Sequence, residues 1–481
     1  MKIQHFMALV VLSLATVRGA RAAVRGFKAR TLFPGLLILA CLLVAAPATA
    51  QVNYAVSGST AYVTRSPGAS GDIVIASTYN GYPVTSIGSM AFSNSTSLTS
   101  VTIPNGVTSI GYQAFRDCWS LTSVTIGNGV TSIGGGAFSR CPSLTNLSVD
   151  AANPAYSSLD GVLFNKAQTT LITYPGGRAG SYVIPNSVTS IGESAFSDCT
   201  SLTNVTIPDS VTSIGDVGFY GCTSLTSVII GNSVTNIGPL AFWYCSSLTS
   251  VTIPNSVTGI GTYAFHSCRS LTSVIIGDSV TYIGWQAFQN CTSLTNVTIP
   301  NSVTSIGGDA FSGCTSLTSV IIGNSLTSIA PSAFYNCTSL TSVIIGNSVA
   351  TIWYSAFSFC TSLTNFTFLG NAPGLADGTF HNVGAGAKAY YSCGATGWGT
   401  NYGGLPTVML CAPQIAPGSA GVKPGGFGFT LTRLTNQTIV VEASTNLVNW
   451  QPIWTNPPPG TSTNFVDPEW LQQPRRFYRA R

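Results

Sequence analysis

Ten of the 13 cysteines stand at one recurring place, three residues after a phenylalanine: Cys118, Cys141, Cys199, Cys222, Cys245, Cys268, Cys291, Cys314, Cys337 and Cys360. Thiols repeated in register suggest a metal ladder or a stack of disulfides. Neither suits the geometry of stacked strands. Rungs about 4.8 Å apart carry parallel Cβ vectors, whereas a disulfide brings its Cβ atoms to about 3.8 Å. A structural zinc site needs thiolates converging from several directions, usually with close pairs that this spacing lacks. The ten are expected to be small buried hydrophobes, and no metal or cofactor is implied. Cys393 and Cys411 lie outside this array. In an exported chain they either bridge or stay as free thiols.

Catalysis finds little to work with. After residue 50 the only histidines are His266 and His381, and the acidic residues are scattered singly. No G-x-S-x-G, H-E-x-x-H or phosphate-binding glycine loop occurs, so a non-enzymatic role is expected. Aromatic residues gather instead around the recurring Phe. Trp243, Tyr244, Tyr263 and Trp285 come from consecutive repeats. Rings with polar tips anchor protein or sugar partners, and the alternative is that they shield one flank by packing on one another. A second candidate is Ile229, Ile275 and Ile321, which alternate with Thr206, Thr252 and Thr298. They offer an apolar docking stripe, or are simply β-branched residues suited to strands.

These side chains need a scaffold, and its period is plain. Phe196, Phe219, Phe242, Phe265, Phe288, Phe311, Phe334, Phe357 and Phe380 are each 23 residues apart, and Phe92, Phe115 and Phe138 keep the same beat. A fixed period of this size means stacked coils, none of which can bury its apolar face alone. Within one coil, Leu248, Val251 and Ile253 mark a strand, Pro254-Asn255 a turn, and Val257 and Ile260 a second apolar edge. Ala264, Phe265 and Cys268 have the spacing of a short helical turn.

The pattern VTIPxSVTSIGxxAFxxC resembles the bacterial BspA-like leucine-rich repeat family, over about Val84 to Phe380. The resemblance implies a right-handed leucine-rich-repeat solenoid, strand plus helical turn in each coil, on an exported or cell-surface protein used in adhesion. The expected organisation is an export signal at 1–50, an N-terminal cap at 51–83 and the solenoid at 84–380. A variant coil near 147–185 interrupts the solenoid, carried by Asn153-Pro154, Tyr156, Asp160-Gly161 and Tyr174-Pro175. A C-terminal cap at 381–411 and a Pro/Gly-rich linker at 412–426 follow. The last segment, 427–481, resembles the small β-sandwich modules that end many exported bacterial proteins.

Composition narrows the partners. Charged residues make up only 7% of the chain, too few for a nucleic-acid footprint. Six of the 19 basic residues and none of the 14 acidic ones precede residue 51, which leaves 13 basic against 14 acidic. The leader places Arg25, Lys28 and Arg30 before the apolar run 36–46 and a small-residue site, Ala48-Thr49-Ala50. The expectation is therefore a secreted or surface-displayed scaffold, cleaved near Ala50, that binds a protein or cell-surface polymer. The alternative is a structural, self-associating surface protein with no dedicated ligand.

Overall fold

The computed structural model describes residues 51–410, and beyond them 414–415, 420–424, 426–432, 439–444, 451–456, 462–467, 469 and 477–480. The expected export signal and part of the expected linker lie outside the described residues. Residues 51–410 coil into a β-solenoid with three sides per coil. A long strand, such as Ser250–Thr252, leads through the Pro254 turn to a two-residue strand, Gly259–Ile260, and then to the turn that holds Phe265. In the regular coils strands pair in parallel with their counterparts 23 residues on, as Val251 with Val274 and Ile260 with Ile283. The long strands from Gly180–Val183 onward build a twelve-stranded sheet, and the short ones build sheets of nine and three strands.

Threonines secure both sheets. Thr226, Thr249 and Thr272 each donate a hydroxyl hydrogen to the carbonyl of the threonine one coil earlier, at 3.0–3.1 Å. Thr235, Thr258 and Thr281 do the same beside the short strands. Their side chains thus supply a second donor at each strand entrance, where an apolar residue would leave a carbonyl less satisfied.

The short helix expected around each Phe is corrected: no described residue is helical. Backbone hydrogen bonds explain the difference. Ala264, His266 and Cys268 donate three residues back, to Gly261, Tyr263 and Phe265, while Tyr263, Phe265 and Ser267 donate to the next coil, at Trp285, Ala287 and Gln289. Every second amide therefore leaves the coil, whereas an α-helix would keep all of them within it. The alternation requires left-handed backbone at the residues two before and two after the Phe, such as Tyr263 (φ 58°) and Ser267 (φ 59°). The phenylalanines meet as near-parallel rings, with centroids 4.5–5.4 Å apart from Phe196 to Phe357. They are fully buried with the Leu, Val and Ile of the strands.

The variant coil divides the core in two. One cluster runs from Ala61 to Leu163 and the other from Val162 to Leu405. Between them an antiparallel hairpin, Tyr156–Leu159 with Val162–Asn165, replaces the ordinary coil. Asn153 is fully buried there; its amide donates to the Gly127 and Val130 carbonyls, and its oxygen accepts the Ala155 and Tyr156 amides. Tyr174 takes the place of the missing Phe and stacks on Phe196 at 5.0 Å. An antiparallel hairpin covers the short-strand sheet at the N-terminal end, Tyr54–Val63, and the long-strand sheet at the C-terminal end, Asn401–Pro406, each in place of a parallel edge.

Among the described C-terminal strands, Gly426–Thr432 pairs with Ser462–Asp467, and Ile439–Ser444 pairs with Gln451–Asn456 and Phe477–Ala480, all antiparallel. Phe429, Leu431, Val441 and Phe465 form their common core.

Candidate functional site

The turn side of the solenoid carries the variable residues, because only the Phe, the preceding Ala and the following Cys must point inward. The thiols do more than fill space. Each donates to the carbonyl of the ring residue in the preceding coil, Cys199 to Tyr174 and the others to a Phe, as Cys245 to Phe219, Cys268 to Phe242 and Cys291 to Phe265, these three at 3.2 Å. Burial pushes the thiols of Cys199, Cys245, Cys268, Cys291 and Cys337 up, and that of Cys314 up to about 12. These six are neutral S–H donors at pH 7. All ten are free. Cys393 is disulfide-bonded, and its amide donates to Leu410; Cys411 lies outside the described residues.

Trp243, Tyr244, Tyr263 and Trp285 come together as one cluster. Trp243 lies at its centre, near-parallel to Tyr244 at 5.5 Å and to Tyr263 at 5.2 Å. Trp285 stands edge-on to Tyr263 at 4.9 Å. Two rings outside that set of four join them: Tyr220 and His266, edge-on to Trp243 at 5.6 and 5.2 Å. The signal for them was available, since both occupy the position immediately after a Phe, where Trp243 also sits.

The four rings differ in what they can do. Trp243 and Tyr263 are half-buried and hold the cluster together, while Tyr244 (39% exposed) and Trp285 (42%) face solvent. Burial raises the carboxyl of Asp309, against the opposing effect of its neighbours Gln286 and Trp285. The indole N–H of Trp243 and Nδ1 of His266 are buried without a hydrogen-bond partner. His266 Nε2 meets the Gln289 amide oxygen at 2.9 Å, and burial lowers its basicity, so the ring is neutral at pH 7.

The strand side gives a different surface. Ile229 (61%) and Ile275 (62%) are well exposed and Ile321 less so, but Thr252 and Thr298 separate them, so they form ridges rather than a continuous stripe. Proline deepens the furrows. Gly323 donates its amide to Ile299 at 2.9 Å, a bond that Pro254 and Pro300 cannot offer to the coils before them. At those two steps the ladder shrinks to Ser227 with Ser250 and Ser273 with Asn296, whereas the intervening step pairs Ser250–Thr252 in full with Ser273–Ile275. The furrow floored by Thr298 between Ile275 and Ile321 encloses about 890 Å³.

Among the described residues no group of three or more His, Cys, Asp or Glu converges as a metal site, and no helix is long and apolar enough to cross a membrane.

The model of the BspA type leucine rich repeat region matches residues 75–179, 178–295 and 281–386. Among solved structures, a leucine-rich repeat protein from Bacteroides ovatus is 24% identical, with 75% of this chain and 98% of that one covered, at a TM-score of 0.46. A leucine rich cell surface protein from Faecalibacterium prausnitzii is 30% identical, with 67% and 96% covered, at a TM-score of 0.37. No functionally curated protein matches. With repeats matched across most of its length, the chain belongs to the BspA-type leucine-rich repeat family.

Proposed function

We propose that this protein is an exported, non-enzymatic binding scaffold of the cell surface, which contacts proteins or surface polymers through the turn flank of its solenoid. The observation that carries this reading is the division of labour in the aromatic cluster. Trp243 and Tyr263 support; Tyr244 and Trp285 are presented to solvent on a backbone held by hydrogen bonds from coil to coil. Large rigid rings on a preorganised frame lose little entropy on binding. The surface placement draws support from the cell-surface description of the Faecalibacterium relative and from the leader at 1–50.

A combined Tyr244→Ala and Trp285→Ala variant is expected to lose binding on protein and glycan arrays while its circular dichroism melting curve stays unchanged. Binding that survives the double change would discard the aromatic flank. The ridges Ile229, Ile275 and Ile321 favour a second reading, self-association through the strand face; a monomer at all concentrations in light scattering would exclude it.

A further inference from the structure

The aromatic cluster has a counterpart farther along the stack. Tyr220, Tyr244 and His266 stand on three consecutive coils, and Tyr335, Phe359 and His381 stand on three others, each 115 residues later, which is five coils. The ring geometry repeats as well. Tyr220 and Tyr244 are edge-on at 6.4 Å and Tyr244 and His266 at 6.3 Å; Tyr335 and Phe359 are edge-on at 5.4 Å and Phe359 and His381 at 5.6 Å. In both sets the middle residue donates its amide to the carbonyl of the histidine, at 3.0 Å from Tyr244 and 2.8 Å from Phe359. The two histidines after residue 50 are thus the matching third members of two equivalent staircases.

The backbone supplies an independent observation. Tyr244 and Phe359 have φ of 60° and 61°. At the same place other coils use Asp198, Gly221, Ser267, Asn290, Gly313 or Asn336, residues small enough for the left-handed region, and one uses Arg140; no other coil places a ring there. Bulky rings are strained there, and strain of this kind collects at working sites. Both rings are nonetheless directed outward, Phe359 with 37% of its surface exposed.

We infer that these staircases are two equivalent subsites for one uncharged, repeating polymer, a neutral polysaccharide, held across five coils. This rests on the binding reading above and specifies its ligand. At about 4.8 Å per rung the subsites lie roughly 24 Å apart. From Tyr220 to Asn382, the two positions after each Phe contain no Lys, Arg, Asp or Glu, so nothing on this column recruits an ionic ligand. Between the staircases stand Gln289, Asn290, Ser312 and Gly313. A single protein partner needs a continuous apolar centre, whereas ring islands separated by polar rungs suit a ligand that presents the same face repeatedly. Ring faces take the C–H faces of sugars, and the hydroxyl, imidazole and amide groups around them meet sugar hydroxyls.

The test uses the purified full-length chain and its Tyr244→Asn and Phe359→Asn variants, alone and combined; Asn already occupies this position in Asn290 and Asn336. Affinity electrophoresis through mixed-linkage β-glucan, galactomannan and α-mannan is compared with alginate as the anionic control. Each single change is expected to weaken binding of a neutral polymer roughly tenfold. The double change should weaken it a hundredfold or more, through loss of bivalency. The thermal midpoints should be equal to the parent's or higher, because Asn relieves the left-handed backbone. Full binding by Phe359→Asn, preference for alginate, or no retention by any neutral polymer would overturn the inference. If array binding to proteins still depends on Tyr244 and Trp285 in any of those cases, the scaffold reading stands and only its polysaccharide ligand falls.

Discussion

Two steps of the solenoid differ in the residue that follows the short strand. Between the coils of Phe265 and Phe288 the short strands pair, Ile260 with Ile283, and Gly284 lies against the backbone of the coil before it. Between the coils of Phe311 and Phe334 the short sheet stops: Ser305–Ile306 ends one sheet and Ser328–Ile329 begins another. The residue equivalent to Gly284 there is Ala330. A Cβ at Gly284 would come within 2.5 Å of Gly261 C and Thr262 N, so an alanine at this place forces its coil outward. The turn side of the same step is unaffected. Phe311 and Phe334 stack at 5.4 Å and 4°, and Cys337 donates to Phe311 at 3.2 Å. Continuity there is kept by the Phe–Cys column together with the long strands, which pair in full from Asn296–Ile299 to Ser319–Ile322, and the short strands tolerate a gap.

If that column holds the stack, titrating it should do the most damage. Folding raises the thiols of Cys199, Cys245, Cys268, Cys291, Cys314 and Cys337 above their ordinary value, so the folded chain keeps protons there that the unfolded chain loses once the pH passes about 8.5. Stability is complete below that pH and falls as pH rises toward the folded values, about 12 for Cys314. Each such thiol withdraws about 1.4 kcal/mol per pH unit in this window. Chemical denaturation between pH 8 and 11 should show a steep loss that becomes shallower in a Cys268→Ala, Cys291→Ala, Cys314→Ala variant. A pH profile indifferent to those changes would remove the column from its place in the comparison.

Removing one ring tests the same column at a single step. Phe311→Ala leaves a cavity between two parallel rings on either side and is expected to cost about 3–5 kcal/mol. This coil already lacks its short-strand pairing to the next, so unfolding should begin there, and hydrogen exchange should quicken on both sides of residue 311. If Phe265→Ala, in the fully paired region, opened more easily than Phe311→Ala, the short strands would be carrying more than the comparison assigns them.

The period, the inward set of Leu, Val, Ile, Phe and Cys, and the place of the variant coil could all be read from residue spacing, because stacking demands the same residue types at the same places. The form of the turn could not. Ala264, Phe265 and Cys268 satisfy helical spacing, and the decision against a helix is made by amides that leave the coil, which one coil's sequence does not reveal. The aromatic cluster was legible from Trp243, Tyr244, Tyr263 and Trp285, but their separation into supporting and exposed rings depends on the neighbours Tyr220 and His266. The furrows beside Ile275 were half legible. The alternation of Ile229, Ile275 and Ile321 with threonines was legible, and the missing proline N–H gives it a structural consequence only when strands lie side by side.

The smallest effect should come from exchanging the two residues that define the comparison. Gly284→Ala places a methyl group against the backbone of Gly261 and Thr262, a clash relieved only by moving the coil, at a cost of about 1–3 kcal/mol. The expected result is a second interruption of the short sheet, between Ile260 and Ile283, with faster amide exchange at Gly284 and undisturbed Phe265–Phe288 stacking. Ala330→Gly works in the opposite sense. It lets the coil of Phe334 settle onto that of Phe311 and slows exchange at residue 330, while glycine's extra chain entropy, about 0.5–1 kcal/mol, offsets most of the gain in overall stability. The pair therefore separates local from global effects: exchange at the short strands should shift in opposite directions while the thermal midpoint falls for Gly284→Ala and hardly moves for Ala330→Gly. Loss of the Phe stacking in Gly284→Ala would mean that the two sides of a coil cannot move independently, and that the gap before Ala330 has a cause other than its methyl group.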